Sequence, residues 1–300
     1  MTVTGTRTGD RYPTRLADST EPIERTDPTV WPGGISGPID SATLASYEAR
    51  GYLTAENLLS QDEVQTYWQE LQRLIGKEEL KGDQRVIVEK DSAEVRSIFE
   101  VHRISPLIAE LVREPRVVDR ARQLLGSDVY VHQSRVNYMP GFKGKGFYWH
   151  SDFETWHAED GMPLPRAVSM SLALTDNYPF NGGLMMLPGS HRTFVPCMGK
   201  TPTDHYKASL KEQEIGVPSQ RDLTELAMAH GIDQFTGTAG SAVWFDANII
   251  HGSGNNITPF PRWNIFVVFN SVQNTLVEPY AAPSPRPEFI ASRDFTAISR

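Results

Sequence analysis

The sequence predicts a mainly β protein with flanking α-helices, in which a double-stranded β-helix of the jelly-roll, cupin-like type forms the core behind N-terminal helices. Helical spacing in the first third, period-two alternation after Asp128 and a series of short strands separated by turns lead to this fold class. We expect one domain over residues 39–300, helical over 39–126 and with its jelly-roll core at about 128–275. A leader over residues 1–38, rich in Thr, Pro, Asp and Arg, is expected to be flexible.

Start and stop signals define the predicted helices. Ser60 begins a capping box, and apolar residues then recur at helical spacing as far as Gly76. A second helical stretch spans Pro106–Leu125, is interrupted or restarted at Pro115, and ends at Gly126. The first third of the domain should therefore be mostly helical.

Alternation of side chains defines the predicted strands. After Asp128, successive residues alternate between two faces through Tyr138. Further strands are predicted at Ala167–Thr175, Gly182–Leu187, Ser241–Phe245 and Arg262–Asn270. A polar insertion at about 199–237 contains a helix capped at Ser219 and is either a lid or a surface decoration.

The bulk composition excludes several classes of partner. The 300-residue chain has a net charge of −8 and a pI near 5.5, without a block of Lys or Arg, so we expect neither nucleic acid nor an anionic membrane as partner. Cys197 is the only cysteine, which excludes an internal disulfide and a multi-cysteine metal site. The first residues lack a long apolar run, so neither a signal peptide nor a membrane span is expected, and the predicted location is cytoplasmic.

A His-x-Asp tripeptide is the most informative motif. His150 and Asp152 stand two apart in a predicted strand, so both side chains should point to one face, with Ser151 opposite. The tripeptide alone is weak evidence, but His251 offers a third ligand. Two imidazoles and one carboxylate leave three positions of an octahedral metal open, which is the arrangement of the non-heme Fe(II) oxygenases.

An arginine beyond the second histidine suggests the cosubstrate. Arg262 follows His251 by eleven residues and opens a predicted strand that has Asn264 and Phe266 on the same face. The planar guanidinium binds a carboxylate through two parallel hydrogen bonds, which suits the far end of a dicarboxylate. This points to 2-oxoglutarate.

Three longer motifs, Gln133–Tyr138, Phe147–Pro163 and Asn181–Arg192, resemble the ectoine hydroxylases of the phytanoyl-CoA dioxygenase family, and the likeness runs from about Ile39 to the C-terminal region. The resemblance implies that the iron ligands are His150, Asp152 and His251. It implies that the contacts to 2-oxoglutarate are Arg262, Ser253 and Asn137. The ectoine contacts that it implies are Gln133, Trp156, Phe245 and Phe266. Met139 departs from the pattern, because the family usually has a lysine there. Arg262 should therefore matter more for 2-oxoglutarate.

The resemblance also implies an activity. It is the hydroxylation of ectoine to 5-hydroxyectoine with Fe(II), 2-oxoglutarate and O2, releasing succinate and CO2, in a protein that forms a homodimer. Aromatic faces suit a small zwitterion with a delocalised cationic ring. Arg135, on the same strand face as Gln133, would either meet a carboxylate or brace the site.

Three alternatives stay open. A related dioxygenase that acts on another small metabolite would keep both the triad and Arg262. An iron-dependent halogenase normally lacks the carboxylate ligand, so Asp152 speaks against it. A jelly-roll binding protein would use the same aromatic pocket without needing iron or consuming 2-oxoglutarate.

Overall fold

The computed structural model describes residues 9–88, 95–210 and 214–299. Its strands are β1 (Ile23–Glu24), β2 (Tyr52–Ala55), β3 (Val86–Val88), β4 (Val95–Phe99), β5 (Val129–Met139), β6 (Phe147–Ser151), β7 (Ala167–Ala173), β8 (Leu184–Met186), β9 (Thr193–Phe194), β10 (Asp233–Gln234), β11 (Ala242–Asp246), β12 (Ile250–Ser253) and β13 (Arg262–Ser271). Its α-helices are α1 (Ser41–Arg50), α2 (Gln61–Ile75), α3 (Val101–Ile104), α4 (Pro106–Leu111), α5 (Pro115–Leu125), α6 (Asp152–Thr155), α7 (Tyr206–Ser209) and α8 (Gln220–His230).

Two antiparallel sheets form the core. The major sheet has the strand order β2-β11-β7-β13-β5-β4-β3, and the minor sheet has the order β10-β8-β12-β6. Strands close in sequence alternate between the two sheets, as β6, β7 and β8 do, so the chain winds around a shared interior. This is the predicted double-stranded β-helix, and the fold class is confirmed.

Helices cover the outer face of the major sheet. The capping box at Ser60 is present, and α2 ends at Gly76, as predicted. Buried apolar residues of α2 and α5 join a core cluster with Val136, Ile265 and Trp244 on the back of the sheet. Each such fully buried side chain stabilises the fold by about 1.5–3 kcal/mol. None of the helices over the described ranges is long and apolar enough to cross a bilayer.

The N-terminal segment departs from the expectation of a flexible leader. From Gly9 onward it packs on the core, and Arg15 and Arg25 are both buried. Arg15 binds Glu154, and the backbone N–H of Trp31 donates to the carbonyl of Leu124 at 2.8 Å, where α5 ends. The predicted leader was too long because its polar residues find buried partners far away in the sequence; residues 1–8 lie outside the described residues.

The helical region also contains strands that the sequence did not predict. β2 pairs with β11 and extends the major sheet, while β4 pairs with β5 and β3 lies outside it. Within the 199–237 insertion, α8 begins after the predicted cap at Ser219, and β10 joins the minor sheet. The insertion is thus attached to the edge of the core.

The inner face of the major sheet carries side chains in rows, since residues paired across antiparallel strands point to the same side. The rows are Gln133, Val268, Ser169 and Phe245; Arg135, Phe266, Ser171 and Val243; and Asn137, Asn264 and Ala173. Arg262 pairs with Met139 at the end of this face. The sheet therefore aligns most of the predicted contact residues along one wall.

Candidate metal and cosubstrate site

The two histidines of the predicted triad face each other across neighbouring strands. His150 of β6 pairs directly with His251 of β12, and their rings lie 4.2 Å apart between centroids. The Nδ1 atom of each ring lies near the carbonyl two residues earlier, at 2.8 Å from Tyr148 O and 3.1 Å from Ile249 O. Because a carbonyl only accepts, both Nδ1 atoms carry the proton, which leaves both Nε2 lone pairs available.

Asp152 completes the group from a different element than predicted. The strand ends at Ser151, and Asp152 is the first residue of α6, because the Ser151 hydroxyl accepts from the Glu154 N–H and caps a helix there. Ser151 and Glu154 have the same Ser-x-x-Glu spacing as the capping box at Ser60, so the sequence contained the signal. The expectation that Asp152 lies on a strand was wrong.

The three side chains nevertheless converge. Oδ1 of Asp152 lies 3.6 Å from Nε2 of His150, and Oδ2 lies 3.9 Å from Nε2 of His251. One ligand atom from each residue falls within 4.8 Å of the others, and within the described ranges this is the one such group of three or more His, Cys, Asp or Glu residues. Ser169 donates to Oδ2 of Asp152 at 3.2 Å and helps to orient the carboxylate.

The protonation states of the group suit a divalent cation. Burial lowers the pKa of His251 to about 4, so its imidazole is neutral at pH 7. Burial alone would raise the pKa of Asp152, but His251, His150 and Arg135 outweigh that effect and keep the carboxylate ionised. Neutral imidazoles and an ionised carboxylate are the forms that bind metal.

A cavity lies beside the triad, with a volume of about 790 Å³ when the part that is open to solvent is included. Its walls include both histidines of the triad and four other predicted site residues, Asn137, Ser253, Arg262 and Phe266. Residues that the sequence did not assign also line it, among them Arg96, Phe99, Lys145 and Leu210. Asn137 accepts from Ser97, and Ser253 accepts from the backbone N–H of Phe147. The predicted cosubstrate contacts thus share one cavity.

Arg262 presents a buried guanidinium to this cavity. Its Nη1 donates to Oδ1 of Asn264 at 3.3 Å, and its Nη2 approaches Sδ of Met139 at 3.8 Å. Nε is buried without a hydrogen-bond partner among the described residues. Burial lowers the pKa of Arg262 to about 10, because no carboxylate of the surrounding structure compensates for its lost hydration. An anion placed in the cavity next to Arg262 would compensate for this lost hydration.

Arg135 is a second cation at the cavity, and its side chain is half-buried. Its guanidinium carbon lies 5.2 Å from the ring centroid of Phe266 and 5.9 Å from that of Phe99. Its Nε has no hydrogen-bond partner within the described part of the chain, and burial lowers its pKa. Period-two alternation places it on the same face as Gln133 and Asn137, so the sequence offered a signal for this residue. Leu210 and Phe99 carry no such signal.

The remaining predicted substrate contacts lie deeper and do not line the cavity. Phe245 is 1% exposed, and its ring lies 5.1 Å from that of His251. Gln133 donates its amide to the carbonyl of Ile290 at 2.8 Å. Trp156, in a π-helical turn after α6, packs edge-on against His132 at 5.1 Å. His191 is not part of the triad, and its Nε2 lies 3.1 Å from the Glu48 carbonyl oxygen.

Comparison with known proteins assigns the family. The model of the family described as phytanoyl-CoA dioxygenase (PhyH) matches residues 47–263. The chain belongs to the phytanoyl-CoA dioxygenase family. This member is 64% identical over 289 residues to an ectoine dioxygenase of Nocardia farcinica, with 96% of this chain and 95% of the relative covered.

Solved structures of one homologue resemble this dioxygenase over nearly its whole length. EctD from S. alaskensis with 2-oxoglutarate and 5-hydroxyectoine is 45% identical, has a TM-score of 0.84 and is covered to 95%, as is this chain. The same protein with bound Fe is 44% identical, has a TM-score of 0.84, and 96% of each chain is covered.

Proposed function

We propose that this chain is an Fe(II)- and 2-oxoglutarate-dependent dioxygenase that hydroxylates ectoine to 5-hydroxyectoine and releases succinate and CO2. The observation that carries the proposal is the convergence of His150, Asp152 and His251 beside a cavity that ends at the buried guanidinium of Arg262. Relatives that are ectoine dioxygenases, covering nearly the whole chain, support the choice of substrate.

We propose His150, Asp152 and His251 as the iron ligands. Their donor set, two imidazoles and one carboxylate, fits Fe(II) and leaves adjacent positions for a bidentate cosubstrate and O2. When bound together, iron, 2-oxoglutarate and O2 supply the oxidant that attacks an aliphatic C–H bond. The chain's own residues bind, orient and shield the reactants.

Arg262 is the proposed clamp for the distal carboxylate of 2-oxoglutarate. The hydrogen bond from its Nη1 to Asn264 orients the guanidinium plane. Its Nε has no hydrogen-bond partner among the described residues and is available to donate to a carboxylate. Ser253 and Asn137 line the same cavity and add a hydroxyl and an amide close to the cosubstrate. A carboxylate placed there would offset the lost hydration of the arginine.

Ectoine offers two charges for recognition, a carboxylate and a delocalised amidinium. We propose that Arg135, a half-buried cation at the cavity wall, takes the carboxylate. Gln133, whose amide nitrogen is engaged by Ile290, keeps its oxygen as an acceptor for a ring N–H. Phe266 lines the cavity, and Phe245 and Trp156 lie behind its wall; together they would supply aromatic surface for the cation. This arrangement would bind the substrate next to the triad.

The decisive experiment loads the purified protein with Fe(II) under anaerobic conditions, adds 2-oxoglutarate and O2 with or without ectoine, and follows products by mass spectrometry. Succinate and 5-hydroxyectoine in equal amounts are expected. Succinate without hydroxyectoine would keep the dioxygenase and reject the substrate. Neither product from iron-replete protein would favour a binding protein instead.

Compartment and assembly stay predictions. We propose a cytoplasmic enzyme on the evidence of composition, including a single buried cysteine, Cys197. We propose a homodimer from the family resemblance, to be tested by light scattering of the purified chain.

A further inference from the structure

The two segments that carry the triad are joined behind it by a buried hydrogen bond. Ser151 lies between His150 and Asp152, and its hydroxyl donates to Oδ1 of Asn248 at 3.1 Å. Asn248 stands three residues before His251, in the turn that leads into β12. Both partners are buried, at 4% and 1% exposure. The hydrogen bond therefore links the turn between His150 and Asp152 to the segment that positions His251.

Asn248 uses its whole side chain in this role. Its Nδ2 donates to the carbonyls of His191 and Thr193 at 2.9 and 3.1 Å. Since carbonyl oxygens only accept, these contacts fix which end of the amide is nitrogen and leave Oδ1 to accept from Ser151. The backbone N–H of Asn248 donates to Oδ1 of Asp246 at 2.8 Å. The asparagine thus has one orientation.

A buried ion pair anchors the far end of the network. Arg25, from the N-terminal segment, donates to Oδ1 of Asp246 at 2.7 Å. Its remaining N–H groups reach backbone carbonyls, including those of Asp27 and Pro28. A buried pair is tolerated when its other donors are satisfied in this way. The N-terminal segment is thereby connected to the metal site.

A backbone contact runs parallel to the side-chain contact. The N–H of Phe153 donates to the carbonyl of Ala247 at 2.8 Å. Phe153 follows Asp152 directly, and Ala247 precedes Asn248. The Ser151 hydroxyl additionally accepts from the N–H of Glu154 at 3.3 Å, so one oxygen both caps α6 and bridges to the neighbouring turn. The turn that carries Asp152 is held from two sides.

We infer that Ser151 and Asn248 are positioning residues for the metal site, which hold the His150–Asp152 turn at a fixed separation from His251. The inference rests on the proposed function only in taking the triad to bind iron. Outer groups that orient metal ligands typically change metal affinity by 10- to 100-fold when they are removed. Neither residue touches the metal or the substrate in this account.

Ser151→Ala tests the inference. The dissociation constant for Fe(II) is measured anaerobically by equilibrium dialysis and metal analysis, together with the thermal midpoint of the metal-free protein. We expect metal binding to weaken by about 10-fold or more. Ser60→Ala is the matched control, because Ser60 also caps a helix but lies away from the site. Both variants should lower the midpoint, and only Ser151→Ala should weaken metal binding.

Ser151→Thr distinguishes the effect of losing the hydroxyl from the effect of changed side-chain packing. It keeps the oxygen and should bind Fe(II) like the wild type. Metal affinity within twofold of the wild type in Ser151→Ala would overturn the inference, as would a Thr variant that binds as weakly as the Ala variant. A wild type that binds Fe(II) without hydroxylating ectoine would refute the proposed substrate and leave this result standing, whereas a wild type that binds no Fe(II) would refute both.

Discussion

Truncation of Arg262 should selectively weaken binding of 2-oxoglutarate. In the cavity this guanidinium contacts Asn264, and its Nε has no hydrogen-bond partner in the described part of the chain. Burial lowers the pKa of Arg262 to about 10, which corresponds to about 3 kcal/mol of uncompensated lost hydration. Removing one member of a buried ionic contact costs about 2–5 kcal/mol, which brackets this value. Arg262→Ala should therefore raise the dissociation constant for 2-oxoglutarate by at least tens-fold, and by about 300-fold at the middle of the range.

The assay is an anaerobic titration of the Fe(II)-loaded variant with 2-oxoglutarate, followed by the charge-transfer absorbance of the iron complex. Iron affinity should stay at the wild-type value. Arg262→Lys keeps the charge but lacks the planar fork, so its dissociation constant for 2-oxoglutarate should lie between those of the wild type and of Arg262→Ala. Arg122→Ala is the matched control, a buried arginine that bonds to Asp119 and the Ile298 carbonyl away from the cavity. A change below threefold in Arg262→Ala would remove Arg262 from the clamp role.

Four further predictions follow from the same contacts. Met139→Lys would place a second cation next to Arg262, and the two charges would repel each other by up to about 4 kcal/mol. The thermal midpoint of the ligand-free protein should therefore fall, and the increase of the midpoint on adding 2-oxoglutarate should become larger. An unchanged increase would contradict this prediction. Asp152→Ala should abolish turnover, and retained iron with full hydroxylation would exclude the triad. Ser60→Ala should destabilise α2 by about 1 kcal/mol without changing kcat, as shown by calorimetry and steady-state kinetics. Burial lowers the pKa of His102 to about 4, so the unfolded chain binds a proton more readily than the folded protein does. Stability should therefore be lost as the pH falls from about 6.5 towards 4. In denaturant titrations, His102→Gln should reduce the dependence of the free energy of unfolding on pH over this range.

Local patterns predicted much of the fold. The helix caps at Ser60 and Ser219 and the long strand ending at Met139 depend on neighbours within a few residues, and all of them are present. β2 has only four residues, and its strand state comes from pairing with β11, nearly two hundred residues later. Such a short segment has no readable period, so only the tertiary contact identifies it.

The candidate site was predictable where it depends on residue type and spacing. The convergence of His150 and His251 follows from one motif and one distant histidine, whereas the helical start at Asp152 required recognition of a second capping motif. The buried role of Arg25 and Arg15 was not predictable, because their carboxylate partners are 221 and 139 residues away. Local composition makes such arginines appear solvated, and only folding supplies their partners.

Strand β13 has a consequence for how the enzyme's selectivity could be changed. Arg262 stands at its first residue, and Phe266 and Val268 follow on the same face at about 13 Å and 20 Å, at about 3.3 Å per residue. In the proposed assignment, one strand therefore holds the cosubstrate contact at Arg262 and the substrate contact at Phe266 at a fixed separation. Redesign of the cavity for a bulkier solute can therefore begin at Phe266, which lines it about 13 Å along the strand from Arg262, and leave Arg262 unchanged.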